Sequence, residues 1–519
     1  MRNKLLLFMF FLPLLSYGQL NLLPISSAFK DDWFKPTFYI NSNNNGDFLP
    51  IIYQMRSFKI PKDSLEIIEI MIVTEPKKNF RQGQLIEIKG DDYLISFSPL
   101  FNFGMGKDIC DTNNDKLFQN TRGVLFKGAI TDRFSFSSSF YENQTRFASY
   151  EQTYMSEHGE IYPTTNNNYT LQNAVVPGAA RTKPFKNTAY DYAYAVGSLV
   201  YRVNKRLDLI AGNNQQFIGA GHRSLLLSDN SVGSPYFKFN YQINQKWSFQ
   251  YMRSRLLNLV RKNVYSTVEG YYQPKGLAIN YITYAPNKTF SISFFEGSIW
   301  AKGDSLTTTR INPLYFCPVP LINKLIKDET VYSVIGTNVN WIINSTIRVY
   351  GQGAISKYKN LTYAYQGGFR LYEIFSIRKL MLQMEYNLVS KDMYRAPIQR
   401  LSFTQYNLPL AHIKGDGFRE IIMRASWSRN NFFFSGKSIF YQLMDYNKNS
   451  LMSISMATLS ENKWINFEQL ELGYRFNESL DMTAFIGITY RNNLGTNEPK
   501  NCILNLGIRT NLINHYNDY

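Results

Sequence analysis

The chain has little of what metal sites and disulfide-stabilised folds depend on, since its 519 residues include three cysteines and four histidines. The cysteines are Cys110, Cys317 and Cys502. This odd and sparse count argues against a disulfide framework, and it leaves open one bridge whose partners the sequence does not assign. The histidines are His158, His222, His412 and His515, and they have no close spacing. We therefore expect no zinc site and no cofactor.

Long apolar runs are also missing after residue 18, so no later segment resembles a transmembrane helix. The one short apolar run, residues 5–15, follows two basic residues and precedes small ones. This order predicts a signal peptide over residues 1–18. The next residue is Gln19 and not cysteine, which argues against a lipoprotein.

Acidic residues are too few to balance the basic ones, and the formal net charge is +17. A basic exported protein attracts anionic lipids or acidic polysaccharides, and export argues against nucleic acid as a partner. We expect outer-membrane lipid, lipopolysaccharide and an anionic extracellular polysaccharide as partners. The alternative is that the lysines only solvate turns and loops.

What the chain does have is a repeated alternation of apolar and polar residues. Residues 134–140, 237–243 and 470–476 follow this pattern, and aromatic residues make up 16% of the chain. Successive side chains of a strand point to opposite faces, so each segment has one apolar and one polar face. In a membrane barrel the apolar face meets lipid and the polar face lines the lumen.

The connections between these segments alternate in length, which predicts the number of strands. Eight are tight polar turns, near residues 132–133, 204–206, 244–246, 286–288, 344–345, 373–379, 428–430 and 477–479. Nine longer connections lie between and around them. An outer-membrane barrel has short periplasmic turns and long outer loops, and both counts then give 18 strands.

The predicted fold is therefore all-β, a transmembrane antiparallel β-barrel of about 18 strands over residues 94–519. A two-sheet sandwich has the same alternation, but long strands and unequal connections argue against it. Because an open sheet edge is costly in lipid, the first strand, near residues 94–103, is expected to pair with the last, near 502–511. Residues 19–93 fit the alternation poorly and are assigned to an N-terminal periplasmic cap, a lumen plug or an extra strand pair.

A glycine-rich stretch at residues 212–230 is the most distinctive motif. It lacks the lysine of a phosphate-binding loop. Ser224 also lacks the flanking glycines of a nucleophile elbow. The sequence thus predicts no enzyme, and the simplest interpretation is a loop whose glycines allow close packing at the barrel mouth or in the lumen.

This stretch resembles the signature run of the Wzi-like capsule-assembly barrels, especially their RemB-like gliding-associated relatives in Bacteroidetes. The resemblance covers roughly residues 120–430. Besides Phe217 to Asn230, it is carried by Val176-Pro177-Gly178 with Arg181 and Lys183, Asn312-Pro313 and Pro318, Tyr350-Gly351-Gln352, Glu385-Tyr386-Asn387, Leu408-Pro409-Leu410-Ala411-His412 and Phe418-Arg419-Glu420.

The resemblance implies an 18-stranded barrel and a set of family-motif residues that are candidates for ligand contact. These are Phe217, Gly219, Gly221, His222, Arg223, Ser224, Ser228, Asp229, Asn230, Pro409, His412 and Glu420. The chain departs from the family pattern at residues 353–356, at 391–393 and at Ile413, and these departures concern the ligand site more than the barrel.

Glu296 is a further point of interest, because it is in phase with apolar residues 290, 292 and 294. A carboxylate facing lipid is costly. Three explanations are open: a bulge that switches the phase, a position near the rim, or a lumen-facing side chain that pairs with an arginine such as Arg253.

Sugar binding requires aromatic side chains beside hydrogen-bonding groups, and loop residues of this kind are present. They are Tyr162, Tyr169, Tyr271, Tyr272, Tyr315, Tyr394 and Tyr406, with Arg223, Arg395 and Arg400. Tyrosines of an interfacial aromatic belt are the competing interpretation.

These observations predict a non-catalytic outer-membrane barrel that attaches or helps assemble capsular or other surface polysaccharide, with a link to gliding motility implied by the resemblance. One alternative is a channel or transporter. A component of a secretion or gliding complex is another, and an enzyme embedded in the barrel, such as a lipase or deacylase, is the third.

Overall fold

The computed structural model is a closed antiparallel barrel of 18 strands joined in chain order. It describes residues 20–22, 31, 35, 47–49, 52–54, 86–90, 92–111, 116–163, 169–186, 188–261, 272–301, 317–321, 331–357, 360–444, 463–477, 481–494, 500–510 and 515–519. The predictions at Tyr271, Tyr315 and Asn312-Pro313 lie outside these residues, as does the signal peptide.

The wall strands run from 8 to 16 residues. They are β1 (Tyr93–Asp108), β2 (Lys116–Ile130), β3 (Phe134–Arg146), β4 (Ala189–Asn204), β5 (Leu207–Asn214), β6 (Ser234–Gln242), β7 (Trp247–Asn258), β8 (Gln273–Tyr284), β9 (Phe290–Ala301), β10 (Val331–Ile342), β11 (Ile347–Lys357), β12 (Leu361–Tyr372), β13 (Met381–Val389), β14 (Phe418–Arg429), β15 (Phe432–Leu443), β16 (Lys463–Asn477), β17 (Met482–Leu494) and β18 (Asn501–Arg509).

Shorter elements lie at the ends of the wall or inside it. One helix, α1 (Ser149–Glu157), follows β3. Short strands are Leu20–Leu22, Phe48–Leu49, Ile52–Gln54, Ile86–Lys89, Glu160–Pro163, Tyr169–Gln172, Lys183–Phe185, Phe217–Ile218, Thr404–Gln405 and Leu408–Pro409, and 3-10 turns are Ile374–Ser376 and Gln399–Leu401. Within the described residues, no helix combines the length and the hydropathy needed to cross a membrane.

The predicted closure is confirmed. Residues Asn102 to Asp108 of β1 pair with Ile503 to Arg509 of β18, and Ile86–Lys89 pairs with the earlier part of β1. Every wall strand thus has a partner on both sides, and among the residues that the structure describes no long strand edge of the sheet is left for lipid to meet.

Asparagine side chains help to form the tight turns. The Oδ1 atom of Asn244 accepts the backbone N–H groups of Lys246 and Trp247 at 2.9 and 3.0 Å. Asn344 makes the same pair of hydrogen bonds with Thr346 and Ile347, each at 2.8 Å. Such Asx turns reverse the chain within a few residues, so the polar turn residues seen in the sequence have a direct structural role.

The alternation along the strands separates an outer apolar face from an inner polar one. Phe237 is 46% exposed on the outside, whereas its neighbour Lys238 is 1% exposed inside. Trp247, near a tight turn, packs against Tyr284 of the adjacent strand with ring centroids 4.6 Å apart. An apolar outer band with aromatic residues near its edge is the construction of an outer-membrane barrel.

The main core lies inside the barrel. It is formed by inward side chains of the wall together with residues of three connections, 147–188, 215–233 and 390–417, and of residues 515–519. Phe48 also belongs to this core and makes an edge contact with Tyr281 of β8 at 5.6 Å. Long connections and one part of the N-terminal segment therefore occupy the lumen.

Candidate functional site

The glycine-rich connection between β5 and β6, residues 215–233, folds into the lumen and is here called the inner segment. Near its start, Phe217 and Ile218 pair antiparallel with Leu49 and Phe48. Gly219 follows with a φ of +111°, and a Cβ there would overlap the amide of Gln352. Only glycine fits this combination of backbone conformation and close contact.

Glu385 of β13 fastens the middle of the inner segment to the wall. Its carboxylate accepts the backbone N–H groups of His222 at 2.7 Å and Arg223 at 3.1 Å. It also accepts the hydroxyl of Tyr350 at 2.8 Å and the amide of Asn387 at 2.9 Å. A buried carboxylate with several donors is stably held, and here the donors come from both the segment and the wall.

Arg223 is completely buried and joins the inner segment to residues 515–519. Its guanidinium donates to Asp518 at 2.8 Å and to the Tyr441 hydroxyl at 3.0 Å. Lys437 donates to the other oxygen of Asp518 at 2.7 Å. Burial opposes ionisation of Asp518, but Arg223 and Lys437 hold the pKa of this carboxyl well below its usual range. The guanidinium also lies 5.3 Å from the ring of Tyr516.

The contacts of Ser224 are those of a residue that stabilises a turn. Its hydroxyl oxygen accepts the backbone N–H groups of Leu226 and Leu227, each at 3.2 Å, which forms a local turn. Gln352 of β11 accepts the N–H of Leu225 at 2.8 Å and donates to the carbonyl of Ile218 at 2.8 Å. Ser224 is thus surrounded by turn and amide contacts, which is not the arrangement of a serine nucleophile with its base.

The end of the inner segment is bound to the connection 390–417. The amide of Asn230 donates to the carbonyl of Pro409 at 2.6 Å, and the N–H of Ser228 donates to that of Leu410 at 2.7 Å. Asp229 accepts the hydroxyl of Tyr516. Two long connections and residues 515–519 therefore form one packed unit.

His412 and Glu420 form a buried pair beside this unit. The ring Nε2 atom of His412 is 2.7 Å from the carboxylate of Glu420, and its Nδ1 atom accepts the N–H of Lys414 at 3.1 Å. Because Nδ1 is an acceptor, Nε2 bears the proton and donates it to Glu420. Burial lowers the pKa of His412 despite the carboxylate, so the ring is held neutral.

The structure thus brings together the twelve residues that the family resemblance indicated, and it buries most of them completely. Many of their polar groups bind the wall, the connection 390–417 or residues 515–519. Their position is consistent with the interpretation of a glycine-containing loop packed inside the lumen, which the sequence favoured over a phosphate or nucleophile site.

Several of the loop residues considered for sugar contact have internal partners instead. Tyr394 is buried and donates to the carbonyl of Leu225 at 2.7 Å. Arg395 pairs with Asp416 at 2.9 Å, and Arg400 donates to the carbonyl of Pro274 at 2.5 Å.

Tyr162 and Tyr272, in contrast, lie at the long-loop end of the barrel around a charged cluster. The guanidinium of Arg261 is 5.1 Å from each of their ring centroids. Glu160 binds Arg261 at 3.2 Å and Arg181 at 2.5 Å. This arrangement places aromatic faces, cations and a carboxylate together near the barrel mouth.

A cavity of about 640 Å³ lies beside α1 at the same end and is here called the helix cavity. Its lining combines hydroxyl and amide side chains with apolar ones and with the charged residues Asp111, Arg146 and Glu157. It includes Ser149, Gln152, Thr153, Gln172, Thr182 and Tyr190. Groups that both donate and accept hydrogen bonds next to an aromatic ring suit a polyhydroxylated ligand.

A second cavity of about 420 Å³ lies deeper, between the inner side of β1 and strands β14 to β18. It is lined by charged residues from the wall. Among them are Arg424, Lys437, Glu471 and Arg509. Arg509 and Glu471 form an ion pair across this lining.

Glu296 lies on the outer face of the barrel, and the sequence did not predict how it is accommodated. The pairing of β8 with β9 is continuous around it, so the bulge explanation is wrong. The lumen-facing part of the third explanation is wrong as well, because Phe295 points into the core, but Arg253 on the outer face of β7 is close enough to interact electrostatically with Glu296. The carboxylate also accepts the amide of Asn280 at 3.1 Å and the N–H of Leu321 at 2.7 Å. Part of the 317–321 segment therefore covers the outside of the wall here.

Asp47 and Asp518 are site residues that the sequence did not indicate. Asp47 accepts the amide of Asn338 at 3.0 Å, and its carbonyl accepts the N–H of Gly219 at 2.9 Å. The sequence offered no stronger signal for Asp518 than its place in a short polar stretch after the last predicted strand.

No family model matches the chain, and no curated protein matches it in sequence. Among solved structures, the chain is similar to Wzi, an Escherichia coli outer-membrane protein described as a carbohydrate-binding barrel involved in group 1 capsule assembly. The two sequences are 11% identical, the match covers 79% of this chain and 85% of that chain, and the TM-score is 0.47. The chain is also similar to the Pseudomonas aeruginosa protein OpdK, solved with vanillate, at 8% identity and a TM-score of 0.45. This match covers 81% of this chain and 98% of OpdK. OpdQ from the same organism is 10% identical, with a TM-score of 0.42, and the match covers 80% of this chain and 96% of OpdQ. The argument for function therefore depends on this chain's own residues.

Proposed function

We propose that this barrel is a non-catalytic scaffold that attaches or helps assemble an anionic polysaccharide at the cell surface, with a linked role in gliding motility. The observation that carries the proposal is the division of the molecule into a packed lumen and a polar, partly aromatic mouth. The polysaccharide as ligand and the role in motility are inferred from the resemblance of the inner segment to the Wzi-like family.

The packed lumen supports a scaffold more than a pore. Glu385 of β13 accepts two N–H groups of the inner segment, and Arg223 donates to Tyr441 of β15 and lies 3.7 Å from Glu420 of β14, so charged groups tie the segment to three strands of the wall. Removing one partner of such a buried set costs roughly 3–5 kcal/mol. A connection held this firmly does not move aside for each passing solute.

The mouth supports a glycan ligand. The helix cavity offers hydroxyl and amide groups, and the nearby Arg181 and Arg261 carry positive charge beside Tyr162 and Tyr272. Long loops of outer-membrane barrels face the cell exterior, so this end would meet surface polysaccharide. The net charge of +17 favours an acidic polymer.

A transport channel is the second candidate, and the deeper cavity favours it. That cavity is lined by Arg424, Lys437 and Arg509, each paired with a carboxylate, and such a mixed charged lining would suit a small polar solute. A role as a component of a secretion or gliding complex is compatible with either function.

A deletion strain tests the proposal. We expect loss of cell-bound polysaccharide and its appearance in the medium, together with reduced spreading on agar. Complementation with wild type should restore both, whereas Thr153→Ala combined with Gln172→Ala should restore them poorly. The matched control is Lys205→Ala, which changes an exposed turn at the opposite end of the barrel.

If the deletion strain retains its polysaccharide but loses spreading, the attachment function is contradicted and a function in the motility complex takes its place. Unchanged polysaccharide and unchanged spreading would contradict both.

A further inference from the structure

Two of the three cysteines meet at the line where the barrel closes. Cys502 lies in β18, and Cys110 follows the last residue of β1 by two positions. The N–H of Ile109 donates to the carbonyl of Cys502 at 2.8 Å, which extends the β1–β18 ladder to the neighbour of Cys110. The two cysteines are 392 positions apart in the chain and adjacent in the fold.

Asp108 holds the two cysteine backbones together. One oxygen of its carboxylate accepts the N–H of Cys110 at 3.1 Å and the N–H of Cys502 at 2.9 Å. The two nitrogens are therefore no farther apart than the sum of these distances, about 6 Å. Its other oxygen accepts the amide of Asn501 at 2.7 Å. A disulfide requires two backbones that approach each other closely, with Cα atoms typically about 4.4–6.8 Å apart, and two cysteine N–H groups that share one acceptor atom bring the backbones into this neighbourhood.

The side chains are also close and accessible. The Cys110 thiol is within hydrogen-bonding reach of the Cys502 sulfur. Cys110 is exposed and Cys502 is partly exposed. Cys317 is elsewhere, close enough to Tyr251 and Arg253 on the outer face of β7 to interact with them electrostatically.

We propose that Cys110 and Cys502 form a disulfide that covalently links the first and last strands of the barrel. The exposed Cys110 thiolate attacks the disulfide of an oxidised thiol–disulfide exchange protein, which releases one thiolate of that protein. The Cys502 thiolate then attacks the mixed disulfide at Cys110 and releases the second thiolate. The two cysteines lose two protons and two electrons, and the exchange protein is reduced to its dithiol form.

The link reinforces a short ladder. β1 pairs with β2 along nearly its whole length, from Tyr93 to Lys107, but with β18 only from Asn102 to Asp108. The bond would lie at the long-loop end of this seam. Cross-linking residues so far apart in sequence also restricts the unfolded chain strongly.

Peptide mapping of wild-type protein tests this inference without any substitution. Protein is extracted from outer membranes in the presence of N-ethylmaleimide and without reductant, and it is then digested with trypsin. We expect residues 108–116 to be recovered joined to residues 501–509, and residues 311–324, which contain Cys317, to carry the maleimide. Recovery of both Cys110 and Cys502 as maleimide adducts, or a bridge from either of them to Cys317, would overturn the proposal.

Variants then test the consequence for the barrel. Cys110→Ser and Cys502→Ser should each lower the temperature at which the folded band is lost on non-reducing gels. Dithiothreitol should lower this temperature of the wild-type protein to the same value. Cys317→Ser is the matched control and should leave both the joined peptide and the temperature unchanged. A wild type that is insensitive to dithiothreitol would contradict the reinforcing role.

Discussion

Single residues in this barrel carry charge in places where a water-soluble core would have none. Arg223 and Glu385 are buried inside the barrel, each with several hydrogen-bond partners. Because the outer face must be apolar, the polar side chains of the strands point inward. Inward polar groups need partners, and residues of the long connections provide them.

His158 shows how burial of one residue affects stability. It lies at the end of α1, where its ring Nδ1 atom donates to the carbonyl of Tyr154 at 2.8 Å. Burial lowers the pKa of His158 to about 4. The unfolded chain, with a pKa of about 6.5, takes up a proton first as the pH falls. The stability that neutral His158 provides is therefore complete above this value and is lost as the pH falls toward 4.

We predict that His158→Phe reduces the dependence of stability on pH. Phenylalanine retains the ring contact with Tyr154, whose centroid is 4.3 Å away, but it does not titrate. Between about pH 7 and pH 5, the free energy of unfolding should shift by about 2 kcal/mol in favour of the variant. Chemical denaturation in detergent at both pH values, followed by tryptophan fluorescence, measures this difference.

The comparison must be made against wild type because other groups titrate in the same range. Burial raises the pKa of Glu151 to about 7, which contributes to stability with the opposite sign. Gln245→Ala, in an exposed turn, is the control that should show the wild-type dependence. Equal pH dependence in His158→Phe and wild type would show that His158 is not held neutral.

Residue roles were only partly predictable from the sequence. Lys238 and its alternating neighbours were assigned to the correct faces, because a strand has a strict period of two. Asp518 was not recognised, since its partners Arg223 and Lys437 lie far away in sequence and no periodic pattern links them. The position of Glu296 depended on residue 321, which belongs to a connection without such a pattern.

At the scale of elements, the inner segment is the part that most distinguishes this barrel. Its residues contact β11 through Gln352, β13 through Glu385 and β15 through Tyr441. The sequence indicated the glycines as sites of close packing, and it did not decide between the mouth and the lumen. A polar loop of this length is equally compatible with solvent, so only its partners on the wall determine where it lies.

We predict that Gly219→Ala destabilises the barrel by about 1–3 kcal/mol. Alanine is strained at a φ of +111°, and its Cβ would overlap the amide of Gln352. The midpoint of thermal unfolding in detergent should fall accordingly. Gly367→Ala in β12 is the matched control, because nothing lies within 4 Å of a Cβ built there. Equal midpoints for the two variants would mean that the inner segment is not held as described.

At the scale of the whole molecule, the number and order of strands were predictable. Tight turns and long connections alternate, and closure follows because a free sheet edge cannot face lipid. The contents of the lumen were not predictable, because filling depends on long-range contacts such as that between Arg223 and Asp518. Strand periodicity carries no information about these contacts.

The filled lumen predicts low conductance. In planar bilayers the wild-type barrel should pass far less current than an open barrel of similar strand number. Replacing residues 215–233 with a short glycine-serine linker should increase that current. Large, steady steps of current through the wild-type barrel would favour the function of a channel over that of a scaffold.

The packed interior also constrains how the molecule is made. Residues 223 and 518 touch although 295 positions separate them, and contacts between such distant positions form slowly. Once β1 and β18 pair, the wall leaves no side entrance for the inner segment or for residues 515–519. After closure of the seam, the interior can therefore be filled only through the two ends of the barrel, so the seam decides by which route the lumen is packed during biogenesis.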